Sequence, residues 1–172
     1  MNWVIITKTK RIIELISISY NRLTYDDIES IDLIEQQNSS NPWTQTQLVE
    51  SILNPANLCY SINNNNKTIG FLMAMPAVDS ADILNISINA NFQRKGYGEK
   101  LLLFLITELK NRKISELIIE VRVSNHSAIS FYLSLGFEEI SVRKDYYKMN
   151  SKHPNQKEDG IIMCLKFLTK NP

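Results

Sequence analysis

The segment 82–105, which reads DILNISINANFQRKGYGEKLLLFL, constrains the fold more than any other part of the chain. Its first residues are apolar and β-branched, which favours a strand. Further on, Tyr97, Leu101 and Leu105 recur at helical spacing, which favours an amphipathic helix. The chain must therefore pass from a strand into a helix within the short turn 93–98.

The composition of this turn, QRKGYG, suits an anion. Gly96 and Gly98 allow the backbone to turn tightly and to approach a ligand without a Cβ in the way. The N–H groups of the first helical turn and the helix dipole would face the same space, and Arg94 and Lys95 add positive charge. We therefore predict a phosphate or pyrophosphate site, and a plain strand-to-helix turn is the alternative.

The glycine spacing differs from that of other common phosphate-binding loops. A Walker loop requires GxxxxGK followed by Ser or Thr, and a dinucleotide fingerprint requires GxGxxG with an acidic residue about twenty positions further on. Here the spacing is GxG alone.

Length and composition limit the class of protein. The 172 residues suffice for one domain with its own core, and 44% hydrophobic and 22% charged residues are ordinary for a globular protein. A net charge of +1 gives no reason to expect nucleic acid or an anionic membrane as a partner. No apolar run approaches a membrane span, and the charges at the start of the chain follow its short apolar run, unlike a signal peptide. We expect a cytoplasmic monomer or weak dimer.

The two cysteines, Cys59 and Cys164, do not have the spacing of metal ligands. We interpret them as small core residues of a protein in a reducing cytosol, and we predict no metal.

Periodicity and breaking residues predict the element order β-α-α-β-β-β-α-β-α-β-β. The predicted strands are residues 12–19, 59–62, 68–75, 83–88, 115–123, 137–146 and 161–168, and the predicted helices are residues 25–37, 45–53, 97–112 and 127–135. A polar loop is predicted over 148–160. This order indicates an α/β or α+β domain at 21–172, with a mixed sheet and helices on both faces, after an extension at 1–20 that includes a possible first strand.

Several motifs resemble the GCN5-related N-acetyltransferases, the GNAT superfamily. The turn QRKGYG after a strand resembles its acyl-CoA signature, Gln/Arg-x-x-Gly-x-Gly. The segments LIIEVRVSNHSAISFYLSLGF at 117–137, VRKDYY at 142–147, EDGIIM at 158–163 and NPW at 41–43 resemble the RimI branch of that family. Those enzymes acetylate the N-terminal amine of proteins, typically a ribosomal protein that begins with alanine. The resemblance covers roughly residues 20–168.

The resemblance implies a GNAT fold, with a mostly antiparallel sheet, and acetyl-CoA as co-substrate. It implies that Glu120 is the general base and Tyr132 the general acid. The implied CoA contacts are Ile86, Ser87 and Ile88 for the pantetheine arm, Arg94, Lys95, Gly96, Tyr97, Gly98 and Glu99 for the pyrophosphate, and Asn125. Trp43 and Tyr146 are implied on the peptide side.

Two positions depart from the family pattern. Asn89-Ala90 stands where the family often has Asp-Pro, and Glu99 stands where a basic or small residue is common. Glu99 places a negative charge near the expected pyrophosphate. Because the turn binds through backbone N–H groups, we expect weaker CoA affinity at most, with function retained.

Acetyl transfer to an α-amine asks little of the protein. An α-amino group has a pKa of about 7.7–8.0, so roughly a quarter is neutral near pH 7.4, against about 0.1% of lysines. One carboxylate base therefore suffices, a tyrosine can protonate the leaving thiolate, and neither a protein nucleophile nor a metal is required.

Structural roles and other functions are the alternatives. Glu120 could be a solvated strand-end acid, Tyr132 a packing residue and Asn125 a helix cap, while Trp43, Tyr146 and the adjacent Tyr147 could serve packing. Functionally, the chain could acetylate a small amine or a lysine side chain, or it could be a GNAT-fold CoA-binding module without activity.

Overall fold

The computed structural model of the protein describes residues 18–148 and 156–167. Within these ranges the chain forms one seven-stranded sheet and four α-helices. The strands are β1 (Ile18–Arg22), β2 (Leu58–Asn64), β3 (Lys67–Pro76), β4 (Ser80–Ile88), β5 (Glu116–Arg122), β6 (Glu138–Lys148) and β7 (Lys157–Lys166). The helices are α1 (Ile28–Asn38), α2 (Gln45–Leu53), α3 (Tyr97–Asn111) and α4 (His126–Ser134), with short 3-10 turns at Tyr25–Asp27 and Ala90–Phe92.

The strands lie in the order β1-β2-β3-β4-β5-β7-β6. Neighbouring strands pair antiparallel except β4 and β5, which are parallel. The predicted element order and the mixed, mostly antiparallel sheet are confirmed.

Alternate residues of the central strands supply two separate cores. Phe71 and Met73 of β3 pack with the isoleucines of α1 and with Leu48 of α2. Leu72 and Ala74, which alternate with these two residues along β3, pack with the leucines of α3 and with Tyr132 of α4. Because successive side chains of a strand point to opposite faces, helices cover both faces of the sheet, as predicted.

Some predicted boundaries are wrong. The strand predicted at 12–19 lies mostly outside the described residues, and β1 runs from Ile18 to Arg22. The start of the predicted loop 148–160 is strand at residue 148, and its last four residues, 157–160, are strand as well. The polar residues Lys157 and Glu158 could not be recognised as strand because their partners, Lys148 and Tyr147, lie across a hairpin.

The domain boundary after residue 20 stays a prediction. In the structure β1 crosses this position, and Ile18 and Tyr20 pack against the larger core.

A β-bulge in β4 opens the sheet at its centre. Ile83 pairs with Ala74 of β3, but the next pair is Asn85 with Met73, so Leu84 is an extra residue. Parallel pairing of β4 with β5 ends at the same point, at Ile83 and Ile119. Since a bulge bends its strand and increases the local twist, the remaining halves of β4 and β5 diverge and leave a gap.

Candidate active site

The gap between β4 and β5 holds a cavity of about 410 Å³. Its walls combine residues of both diverging strands, 83–86 and 119–122, with residues of α1, α4, β6 and the segment between α1 and α2. A second cavity of about 450 Å³ shares several of these wall residues and extends along β4 to Ser87. Segments that are distant in the sequence therefore meet where the sheet splits.

Glu120 is the first residue of β5 beyond its pairing with β4, and it lines the first cavity. Its side chain is 23% exposed, and its Oε2 accepts a hydrogen bond from Nη1 of Arg143 at 2.7 Å. Gly160 of β7 lies behind it: a Cβ there would stand 3.4 Å from Cγ of Glu120 and 3.1 Å from Cε2 of Tyr147. Glycine at this position leaves room for both side chains.

Tyr147 is the other wall of this pocket. Burial, together with a hydrogen bond to the Glu120 carboxylate and the charge of that carboxylate, raises the pKa of Tyr147 above its ordinary value. The Arg122 guanidinium lies 4.2 Å from the ring centroid of Tyr147 and is itself bonded to Glu158 at 2.7 Å.

A bulge in β6 brings Arg143 and Tyr147 to the same carboxylate. Arg143 pairs with Gly160 and Tyr147 with Glu158, so three residues of β6 lie opposite Asp159 alone. The Asp159 carboxylate holds this bulge, because it accepts from Nζ of Lys144 at 2.8 Å and from the backbone N–H of Asp145 at 3.0 Å.

Tyr146 lies in the same bulge but is not among the residues that line the two cavities. It is 43% exposed, and the Arg143 guanidinium stacks on its ring at 3.5 Å. The structure thus brings Tyr147 to the cavity wall and Tyr146 to the arginine that holds Glu120.

Tyr132 lines the first cavity from α4. The residue is only 4% exposed, and its ring packs against Phe131 and Phe137 with centroid distances of 5.2 Å each. Burial raises the pKa of the Tyr132 hydroxyl well above its ordinary value. Like any phenol it is protonated at neutral pH, and its burial makes it a weaker acid than an exposed tyrosine.

The turn 93–98 has the backbone geometry of an anion site. Arg94 and Gly96 both have a positive φ, of 57° and 80°. Helix α3 begins at Tyr97; no side chain caps its N-terminus, and its first backbone bond runs from the N–H of Lys100 to the carbonyl of Gly96 at 3.0 Å. The N–H groups of residues 97–99 precede that bond and have no acceptor within the helix. A Cβ on Gly96 would meet no atom within 4 Å, so the space over the turn is open.

The cationic side chains of the turn contribute unequally. Nζ of Lys95 donates to the carbonyl of Asn91 at 2.9 Å and lies 5.5 Å from the ring of Phe92. Arg94 is exposed. Lys95 is thus engaged within the turn, while the exposed Arg94 side chain has room to reach a bound anion.

The end of β4 presents its backbone to the gap. The N–H of Asn89 donates to the carbonyl of Ile69 in β3. Because the direction of the backbone hydrogen bonds alternates along a strand, the N–H and C=O groups of Ile86 and Ile88 point away from β3. The Ile88 carbonyl accepts from Asn38 and Gln93. The backbone groups of Ile86 are therefore the ones suited to pair with an extended ligand. Ser87 is 7% exposed, and its Oγ accepts from Asn38.

Asn125 and Trp43 have structural roles beside their place at the cavities. Oδ1 of Asn125 accepts from the N–H of Ala128 at 3.2 Å as the N-cap of α4, and Asn125 lines both cavities. The backbone N–H of Trp43 donates to Oε1 of Glu35 at 3.1 Å, and half-buried Trp43 lines the first cavity.

Sequence reasoning missed Glu35, Asn38 and Arg143, and did not commit to Tyr147. Glu35 is 4% exposed and lines both cavities. A signal was available, because Glu35 follows Ile31 by four positions and so lies on the buried face of α1. Arg143 and Tyr147 lie in the VRKDYY motif, but the bulge that turns them toward Glu120 leaves no sequence pattern.

Within residues 18–148 and 156–167, no group of three His, Cys, Asp or Glu side chains is arranged to hold a metal ion. In the same ranges, none of the helices is both long enough and apolar enough to cross a membrane.

Comparison with known proteins identifies the family. Residues 23–137 match the Acetyltransferase (GNAT) family. The chain is 35% identical over 147 residues to the [ribosomal protein bS18]-alanine N-acetyltransferase of Escherichia coli (strain K12), covering 83% of this chain and 96% of that protein. It is 36% identical over 140 residues to the protein of the same name from Haemophilus ducreyi, covering 81% and 93%. The chain belongs to the GNAT acetyltransferase family, and the resemblance to its RimI branch is confirmed.

Solved structures agree. The crystal structure of the ribosomal-protein-S18-alanine N-acetyltransferase from Escherichia coli superposes with a TM-score of 0.80 at 32% identity, covering 90% of this chain and 96% of that one. Ard1 from Thermoplasma volcanium has a TM-score of 0.77 at 21% identity, covering 88% and 99%, and shares the fold.

Proposed function

We propose that the chain transfers an acetyl group from acetyl-CoA to the N-terminal α-amine of a ribosomal protein that begins with alanine, in the cytoplasm. One observation carries the proposal: Glu120 and Tyr132, on different elements, line one cavity at the point where β4 and β5 part. Identity of 35% to proteins named for this activity, over nearly their whole length, supports the choice of acceptor.

The residues present fit acetyl-CoA. The turn 93–98 offers backbone N–H groups and open space for a pyrophosphate, and the free edge of β4 at Ile86 offers backbone groups for the amide-containing pantetheine arm. In this proposal Ile86, Ser87 and Ile88, residues 94–99 and Asn125 form the donor side. Acetyl-CoA supplies an acyl group already activated as a thioester.

Glu120 and Tyr132 then divide the proton transfers. Glu120 accepts the proton that the α-amine loses as the N–C bond forms, directly or through a water. Tyr132 donates a proton to the thiolate as the C–S bond breaks; its hydroxyl lines the cavity and is protonated at neutral pH, as any phenol is. A ternary complex with direct attack requires no covalent intermediate on the protein.

Trp43 and Tyr146 form the acceptor side in this proposal, joined by Glu35 and Tyr147. Glu35 and Trp43 are bonded to each other, and Tyr147 lies beside Glu120 over Gly160. Glu35, Trp43 and Tyr147 border the first cavity, Tyr146 lies outside it next to Arg143, and in this proposal an extended N-terminus enters between them.

An acceptor comparison tests the proposal. Acetyl-CoA is supplied with a peptide that has a free N-terminal alanine and an internal lysine, with the same peptide blocked at its N-terminus, and with small amines. We expect turnover with the free N-terminus and its loss on blocking, and Glu120→Gln should abolish most of that turnover. Equal turnover with the blocked peptide would assign the activity to lysine, and turnover with small amines alone would reject a protein acceptor.

A further inference from the structure

A hydrogen-bonded link joins the two sides of the site, and Asn38 is at its centre. Nδ2 of Asn38 donates to Oγ of Ser87 and to the carbonyl of Ile88, each at 2.8 Å. Oδ1 of Asn38 accepts from Nε2 of Gln93 at 2.8 Å, and the same nitrogen donates to the Ile88 carbonyl at 3.0 Å. Asn38 is the last residue of α1, so one side chain ties this helix to the end of β4 and to the first residue of the donor turn.

The same end of α1 supports the acceptor wall, by which we mean residues 39–44 with Trp43 among them. Glu35 lies three residues before Asn38, and it bonds the backbone N–H of Trp43. Residues 39–44, between α1 and α2, form neither helix nor strand. This segment is held at one end by Asn38 and at the other by the bond between Glu35 and Trp43. The position of the acceptor wall therefore depends on the last turn of α1.

The donor turn depends on the same link from its other side. Gln93 is followed by Arg94, whose φ of 57° is unfavourable for a residue other than glycine. The two acceptors of Nε2 hold the Gln93 side chain and thus the entry to this turn. Without Asn38, Gln93 keeps its bond to the Ile88 carbonyl but loses its bond to α1.

We propose that Asn38 is a positioning residue that couples the two half-sites, so that binding of the donor at the turn strengthens binding of the acceptor against the wall formed by residues 39–44. The inference rests on the proposed function. Coupling of this kind is reciprocal, so the acceptor must strengthen donor binding by the same factor. Couplings between two binding sites are typically about fivefold or larger, and we expect the lower end for a link made by single side chains.

The test is a pair of titrations that exclude turnover, because free CoA is used with a peptide that has an N-terminal alanine. The dissociation constant of the peptide is measured with and without saturating CoA, and that of CoA with and without saturating peptide. In the parent we expect a tightening of about fivefold in both directions. In Asn38→Ala the factor should fall close to one, with the melting temperature lowered but the protein still folded, because Asn38 is exposed while its partner Ser87 is buried.

Two variants sharpen this result. Gln36→Ala breaks an exposed bond on the same helix, from Nε2 of Gln36 to Oδ1 of Asp32 at 3.2 Å, and should keep the coupling. Gln93→Ala should lose the coupling, and the double variant Asn38→Ala/Gln93→Ala should lose no more than either single variant.

Absence of coupling in the parent, or parental coupling in Asn38→Ala, overturns the inference. In both cases turnover of the free N-terminus by the parent would leave the proposed function standing. If the parent neither binds nor acetylates the peptide, the proposed function fails and the inference fails with it.

Discussion

The donor side and the acceptor side of this site are built in different ways. In the proposed function the donor side is the segment 86–99 together with Asn125, and the backbone at the end of β4 and the start of α3 is expected to supply most of its binding groups. The acceptor side consists of side chains from α1, the α1–α2 segment, β5 and β6. A backbone site tolerates side-chain changes that preserve φ and ψ, whereas a side-chain site depends on each residue. The following predictions test this difference, from the largest expected effect to the smallest.

Glu120→Gln should have the largest effect, on turnover. Because Glu120 is the proposed base, the variant should lose about 10²–10⁴-fold of its turnover at low pH. Turnover should recover in part at higher pH, where more of the α-amine is neutral. Steady-state kinetics on an N-terminal peptide across pH 6–9 would measure this.

Arg143→Gln is the matched control, because it removes the 2.7 Å ion pair and leaves the carboxylate. It should lose much less turnover than Glu120→Gln. An equal loss would mean that the ion pair, not the base, is what the reaction requires, and full activity of Glu120→Gln at all pH values would make Glu120 structural.

Tyr132→Phe should reduce turnover by about 10²-fold or somewhat less, since a thiolate with a conjugate pKa of about 8.5 leaves tolerably well without a proton donor. The ring keeps its packing on Phe131 and Phe137, so the melting temperature and the CoA affinity should stay nearly unchanged. Kinetics, a melting curve and a CoA titration check these outcomes together. Parental values in all three would show that water or the substrate ammonium provides the proton.

Gly96→Val addresses the donor side. A β-branched residue at a φ of 80° is strained, and about 1–3 kcal/mol of strain should weaken CoA binding by about tenfold or more. Gly96→Asn is the matched control, because asparagine tolerates this conformation and the structure leaves space around Gly96. Calorimetric titration with CoA compares the two. Parental affinity in folded Gly96→Val would mean that the turn is not the pyrophosphate site.

Glu158→Gln should have the smallest effect, on stability. Burial would raise the pKa of Glu158, but hydrogen bonds from Ser124 and Arg122 outweigh it and hold that pKa below its ordinary value. The stabilisation is therefore present above the unfolded pKa, about 4.3, and is lost as the pH falls through the folded one. The variant should lose less than about 1 kcal/mol at pH 7, because the pair is partly solvated. Denaturant melts of parent and variant should converge as the pH falls through the lowered folded pKa of Glu158, and a constant difference would exclude this pair as its cause.

Much of the donor side was predictable because its information is local. Strand, glycine turn and helix follow one another within 82–105, and the structure has β4, the turn and α3 in that order. The absence of a Cβ permits the positive φ of Gly96. The positive φ of Arg94 was not predictable, because residues other than glycine rarely adopt it. The attachment of Gln93 to Asn38 was not predictable either, because these two residues lie 55 positions apart.

The catalytic pair and the acceptor side could be predicted only through resemblance to a family. Glu120 and Tyr132 were named from motifs, and the structure brings both to one cavity. Their environment could not be read from the chain. The three-residue bulge that points Arg143 and Tyr147 at Glu120 depends on pairing with Asp159, and the burial of Glu35 depends on how α1 lies on the sheet.

By itself the sequence determined the order of the helices and strands, the two-faced core and the turn 93–98, because hydrophobic periodicity and glycine act over a few neighbouring residues. Only the tertiary structure decided where the site lies. The gap exists because Leu84 is an extra residue against β3 and pairing with β5 ends at Ile83. Register between strands is set by packing across the whole sheet, and no local pattern specifies it.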